Sequence, residues 1–194
     1  MIDKPRERWA KGTFLIALAM IINHRKDLDW LGQTSLTERD MEQIRGKILP
    51  SSWYSLDLFE RMGSAVFKLV GKEKPEGAYE FGNGIMWQIL KKVYSNSLLR
   101  NNPGSALSIF ATLYNGIFFN TGEAHFEKDE SGGTFRITDI FGIPSQESFV
   151  PMLKSLLRKI VEENQGRDVR VECPEESVLR SKKLNSATYR IYWR

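Results

Sequence analysis

The hydrophobic pattern of this chain changes from helical to alternating at Gly122, and that change narrows the folds open to it. Upstream, apolar residues recur at intervals of three and four. Downstream they alternate with polar ones, through Ala124-His125-Phe126-Glu127 and again through Phe135-Arg136-Ile137-Thr138. A period near 3.6 buries one stripe of a helix, whereas a period of two buries one face of a strand. The chain therefore reads as a helical part, residues 1–121, and a sheet part, residues 122–194, within a single domain. Helices and strands that are segregated in this way indicate an α+β architecture. With 194 residues, 41% of them hydrophobic and 27% charged, the chain can bury a sizeable core.

In the helical part, Phe14, Leu18, Ile21 and Ile22 follow helical spacing after Lys11-Gly12, and residues 28–33 read as a turn or short connector. Ser35 with Glu38 has the spacing of a capping box, for a short helix that carries Met41, Ile44 and Ile48 and is ended by Pro50. Ser55 caps a helix with Leu56, Phe59, Met62 and Val66 on one face, and Gly71 closes it. Pro75 opens a longer helix with the stripe Tyr79, Gly82, Met86, Ile89 and Val93, in which Gly82 and Gly84 mark close backbone approach. Pro103 opens a helix that carries Leu107, Phe110, Leu113, Tyr114, Ile117 and Phe118 with no charged face, which makes it central.

In the sheet part, the Ser131-Gly132-Gly133 turn joins two strands into a hairpin with one wet face. Phe149, Leu153, Leu156, Leu157, Ile160 and Val161 form an amphipathic helix opened by Ser148 and Pro151 and closed by Gly166. Val169, Val171 and Cys173 line one further strand, and Ala187, Tyr189, Ile191 and Trp193 line another. The expectation is an N-terminal helical bundle followed by a four-stranded, mainly antiparallel sheet in strand-strand-helix-strand-strand order.

Chemistry is sparse. Cys173 stands alone, which excludes an intrachain disulfide or a cysteine metal site and suits a reducing, cytoplasmic compartment; its alternating neighbours make it a core residue. The apolar run 13–22 is not a secretory signal, because Asp3 and Glu7 interrupt its basic flank and His24-Arg25-Lys26 follow it. It is also too short to span a bilayer, and Pro103, Gly104, Asn115 and Gly116 break the longer run 101–122. There is no phosphate loop, nucleophile elbow or zinc-protease motif. His24 and His125 read as surface residues, and Glu123, Glu127, Asp129 and Asp139 as solvated carboxylates. No catalytic residue is assigned, and a non-enzymatic role is expected. The net charge of +4 comes from interleaved charges, so nucleic-acid binding through the basic ends, residues 4–11 and 180–183 with Arg190 and Arg194, is the alternative.

An aromatic surplus remains: Trp53, Tyr54, Trp87, Phe110, Tyr114, Phe118, Phe119 and Phe141. These residues either fill the core or line an apolar pocket between helices and sheet. Trp87, Phe110, Leu113 and Tyr114 are the candidate ligand-binding residues. A small hydrophobic molecule or a protein is the expected partner, and a homodimer is compatible with this.

Ala10-Lys11-Gly12-Thr13-Phe14-Leu15, followed by Leu49-Pro50-Ser51-Ser52-Trp53-Tyr54-Ser55-Leu56 leading into a helix, resembles a paralogous family of uncharacterised bacterial proteins. The element order is similar to the broader superfamily of H-NOX haem domains, vinyl-reductase-type ligand-binding domains and small TRAPP trafficking subunits. This resemblance covers nearly the whole chain and implies a pocket between helical layer and sheet for haem, a lipid chain or another hydrophobic molecule, in a sensory or scaffolding protein. The haem branch has a helix-borne proximal His and a Tyr-x-Ser-x-Arg motif. Tyr94-Ser95-Asn96-Ser97 does not match that motif, and neither histidine is placed as a proximal ligand. Haem is therefore disfavoured, and no cofactor and no metal ligand are expected.

Overall fold

A computed structural model describes residues 7–139 and 146–194; Phe141 and the basic residues Lys4 and Arg6 lie outside them. The sheet forms where the alternating pattern begins. Strands β3 (Glu123–Lys128), β4 (Gly132–Thr138), β5 (Arg170–Glu172) and β6 (Ser186–Tyr192) lie in the order β3-β4-β6-β5, with every pairing antiparallel. Register follows the pleat: Phe135 faces Tyr189 and Ile137 faces Ala187, so these residues are buried on one side while His125, Arg136 and Arg190 stand in water on the other. Helices α7 (Pro103–Tyr114) and α8 (Gln146–Glu163) contact this sheet. The expected α+β fold and strand order are present.

Around them stand α1 (Gly12–His24), α2 (Trp30–Gln33), α3 (Glu38–Arg45), α4 (Leu56–Leu69), α5 (Pro75–Phe81) and α6 (Trp87–Leu98). Several boundaries differ from expectation for identifiable reasons. The capping box on α3 is Thr37 with Asp40 rather than Ser35 with Glu38, and α3 ends at Gly46, before Ile48. The burial of Asp40, 4% exposed, decides the cap: its carboxylate also receives Arg61 through Nε at 2.8 Å and Nη2 at 2.7 Å, which ties α3 to α4. The single helix expected from Pro75 is α5 and α6 joined by a π-helical turn, Gly82–Met86. Helix α7 stops at Tyr114 because Asn115 turns away: its side-chain amide accepts from the Ala124 N–H and donates to the Ala124 carbonyl, as a strand neighbour of β3 would. Pro151 lies inside α8, which is already helical at Gln146.

Residues 53–55 are not only a helix junction. They form β2 (Trp53–Ser55), paired antiparallel with β1 (Trp9–Lys11) in a two-stranded ribbon. The segments 10–15 and 49–56 therefore touch one another. Gly12 N–H donates to the Ser52 carbonyl at 2.9 Å, and the Thr13 hydroxyl donates to the Pro50 carbonyl at 3.2 Å. The Lys11 ammonium sits 4.1 Å from the Trp53 ring centroid. A Cβ at position 12 would lie 2.0 Å from the Leu49 carbonyl oxygen, so only glycine allows this approach.

Candidate functional site

The helices leave a space open between them. It is an apolar cavity of about 300 Å³ framed by α1, α4, α5, the π turn and the start of α8. Leu18 comes from α1, Phe59 and Val66 from α4, Phe81 from α5, and Phe149 and Met152 from α8. Each carries the apolar stripe that amphipathic spacing puts inward. Glu80 and Ser148 are the polar side chains among the lining residues.

The π turn shapes this space. The two glycines that the sequence marks alike play opposite parts in it. At Gly82 a Cβ would come within 2.1 Å of the Ser155 Oγ and 2.4 Å of the Met152 carbonyl oxygen, so the turn is pressed against α8, as expected. At Gly84 a Cβ would meet nothing within 4 Å, which corrects the expectation of close approach there. Gly84 borders the cavity, and its missing side chain keeps that wall open. Turns with π-helical bonding are frequent at functional sites because the extra residue re-aims the helix on either side.

The candidate residues from the sequence lie elsewhere. Trp87 is fully buried, and its indole N–H is 3.4 Å from Glu163 Oε1, which also receives the Lys91–α8 bridge through its other oxygen at 2.7 Å. Phe110 packs against Phe118 and Phe135, with ring centroids at 5.7 and 5.8 Å. Leu113 is half-buried against the core. Tyr114 packs against Phe119 at 5.1 Å, and its hydroxyl is the one buried side-chain oxygen without a hydrogen-bond partner among the described residues. Burial, with a smaller contribution from Asp139, holds that phenol well above its ordinary range and therefore neutral. None of the four lines the cavity. Phe119 connects Tyr114 to it, since it also lies 5.8 Å from Phe59 and 6.1 Å from Phe149, two residues of the cavity wall.

Outside the cavity, reactive groups are few. Burial, reinforced by Glu175 and Glu176, pushes the Cys173 thiol up to about 12, so it stays protonated. His24 ends α1 and His125 stands on the outer face of β3, both exposed. Among the described residues no group of three or more His, Cys, Asp or Glu is placed to hold a metal ion. None of their helices is long and apolar enough to cross a membrane. The basic ends are partly answered by acids: Arg180 lies 3.7 Å from Glu147 and Arg194 lies 3.6 Å from Asp168.

No family model matches the chain, and no curated protein matches its sequence. Solved structures match its fold. The chain is similar to an H-NOX protein from S. oneidensis in the Fe(II)NO ligation state, at TM-score 0.63 and 9% identity over 95% of this chain and 99% of that one. It is likewise similar to an unliganded Fe(II) H-NOX protein from K. algicida, at 0.62 and 9% over 95% and 96%. A mutant of T. tengcongensis H-NOX matches at 0.60 and 13% over 95% and 97%. At such identities the likeness is one of fold, and the chain has an H-NOX-like α+β fold over nearly its whole length. The narrower resemblance to a paralogous bacterial family has no sequence match behind it.

These neighbours correct the expectation about cofactors. Two of them are named as iron proteins, one with Fe(II)NO and one with unliganded Fe(II), and another structure of the set concerns the redox potential of haem in a distorted porphyrin. A fold that carries haem cannot be assigned as cofactor-free from two missing motifs. The fit of haem to the described residues is a separate matter. Both histidines are exposed, and the interior next to the sheet is occupied by the packed rings of Phe14, Phe110, Phe118 and Phe119. Tyrosine oxygen can ligate haem iron, but Tyr114 is packed against Phe119 and held neutral. The described residues do not form a haem seat.

Proposed function

We propose that this chain is a single-domain ligand-binding module of the sensory kind, spanning residues 1–194, with the helical cavity as its ligand site. The observation that carries this is the apolar cavity of about 300 Å³ beside a π turn whose Gly84 leaves its wall open. Ligand pockets begin at about this volume, and apolar cavities of half the size bind benzene. A small hydrophobic molecule is the ligand class that suits such walls. The aromatic contacts from Phe59 and Phe149 through Phe119 to Tyr114 give an occupant a packed route toward the sheet, where Phe110 meets Phe135. In this scheme Tyr114 supports the cavity wall through Phe119, and Trp87, Phe110 and Leu113 belong to the surrounding core. The single protonated thiol suits a reducing cytoplasm.

The test is ligand-induced stabilisation. 1-Octanol at a hundredfold excess over its Kd should stabilise the protein by about 2.7 kcal/mol, read as a rise in melting temperature. Gly84→Leu should keep the circular dichroism spectrum and abolish the rise, because its side chain enters the open space. Haemin belongs in the same titration, since the structural neighbours carry haem. No stabilisation by octanol, or stabilisation by either compound that Gly84→Leu leaves intact, would overturn the cavity as the site.

A further inference from the structure

An amphiphile that enters the cavity leaves its polar end at the rim, where the charged lining residue is Glu80. Resting on the cavity being the ligand site, we propose that it selects apolar molecules with a cationic or uncharged hydrogen-bond-donating end, preferring an alkylammonium to an alcohol and both to a carboxylate. Glu80 is the charged residue in the lining; no Lys, Arg or His lines the cavity. Glu80 is exposed, and among the described residues its carboxylate makes no ion pair. It also borders an adjoining crevice whose one cation, Lys154, is already held by Glu176 at 2.6 Å, and to which Glu76 adds another carboxylate.

The helix ends at the rim leave that balance unchanged. Val66 and Phe67 line the cavity from the last turn of α4, but their carbonyls are already taken, Val66 by the Val70 and Gly71 N–H groups and Phe67 by the Glu73 N–H, and Lys68 stands in the same turn, so this helix end adds no open acceptor. Ser148 and Phe149 line it from the first turn of α8, where exposed N–H groups would favour an anion, but Glu147 sits in that turn. Arg180 is engaged beside it, 3.7 Å from Glu147 and 2.7 Å from the Glu73 carbonyl. An ammonium or hydroxyl placed at the rim therefore meets the Glu80 carboxylate as an acceptor, whereas a carboxylate meets it with no cation in the lining to receive it. An anion half-removed from water without a partner is strongly disfavoured.

The experiment compares octylamine, 1-octanol and octanoate by isothermal titration at neutral pH and low salt, each affinity taken as the part that Gly84→Leu removes. Octylamine should bind about tenfold more tightly than octanoate, with octanol between, the size expected when a partly exposed charge attracts one ligand and repels the other. Glu80→Gln, a change at an exposed position, should bring amine and carboxylate to within about twofold, and about 0.5 M salt should narrow the gap in the native chain. Octanoate binding as tightly as octylamine, or a preference that survives Glu80→Gln, would overturn the proposal. If octanol binds and the charged pair do not differ, selectivity falls while the cavity stands as the site. If none of the three binds, both fall.

Discussion

Two glycines of the π turn, two residues apart, should respond to the same substitution with opposite sign. In Gly82→Ala the new methyl would sit 2.1 Å from the Ser155 Oγ and 2.4 Å from the Met152 carbonyl oxygen, where ordinary contact begins at 3.4 Å. The serine hydroxyl can rotate, though it gives up its 2.7 Å bond to the Met152 carbonyl in doing so. The carbonyl belongs to the backbone of α8 and cannot rotate away, so the π turn and α8 must separate by about 1 Å, the shortfall from ordinary contact. Overpacking of this kind costs about 1–3 kcal/mol, partly offset by the gain of about 1 kcal/mol in helix propensity from Gly to Ala. Against an overpacking cost in the upper part of that range, Gly82→Ala should lose about 1–2 kcal/mol. Gly84→Ala meets nothing within 4 Å and should gain about 0.5–1 kcal/mol. The measurement is urea unfolding followed by fluorescence of the 5 tryptophans and by circular dichroism. In melting temperature the pair should differ by roughly 3–12 °C for a chain of this size. Equal stability of the two variants, or a Gly82→Ala protein more stable than the native chain, would refute the packing of this turn against α8.

Tyr114→Phe should leave the fold intact and raise its stability by about 1 kcal/mol, because it removes a buried hydroxyl without a partner; a lower midpoint in urea would show that the hydroxyl is bonded. At Asp40, burial works to raise the carboxyl, but the Arg61 and Thr37 hydrogen bonds outweigh it and the net shift is downward. Its contribution should thus be complete above the unfolded value near ~3.9 and be lost as pH falls through the lower folded value. Asp40→Asn should cost about 2 kcal/mol at pH 7 and progressively less in the acid range, read from urea midpoints across pH; a pH-independent deficit would contradict the ion pair.

The sheet was legible because its pattern repeats. Phe135 and Ile137, then Ala187, Tyr189 and Ile191, alternate over enough residues for a period of two to stand out, and the long stripe of α8 does the same for a helix. The ribbon of β1 and β2 was not, since three residues per strand carry no period; it exists because Gly12 allows the Leu49 carbonyl to approach. The aromatic surplus was visible as composition, but composition does not distinguish rings that pack on one another from rings that border a space. Phe59 and Phe149 border the cavity, and Phe110 and Tyr114 do not.

The order of elements, the α+β class and the inward face of each long helix and strand were determined by local periodicity, because each depends on residues within one or two turns of each other. The cavity was decided by tertiary structure alone. Its wall is assembled from α1, α4, α5, the π turn and α8, and its open side depends on Gly84 facing empty space while Gly82, two residues earlier, is pressed against a backbone carbonyl of α8. Nothing in the side chain of a glycine records which of those two neighbours it will meet; that is set by how the turn packs on a helix some 70 positions away along the chain.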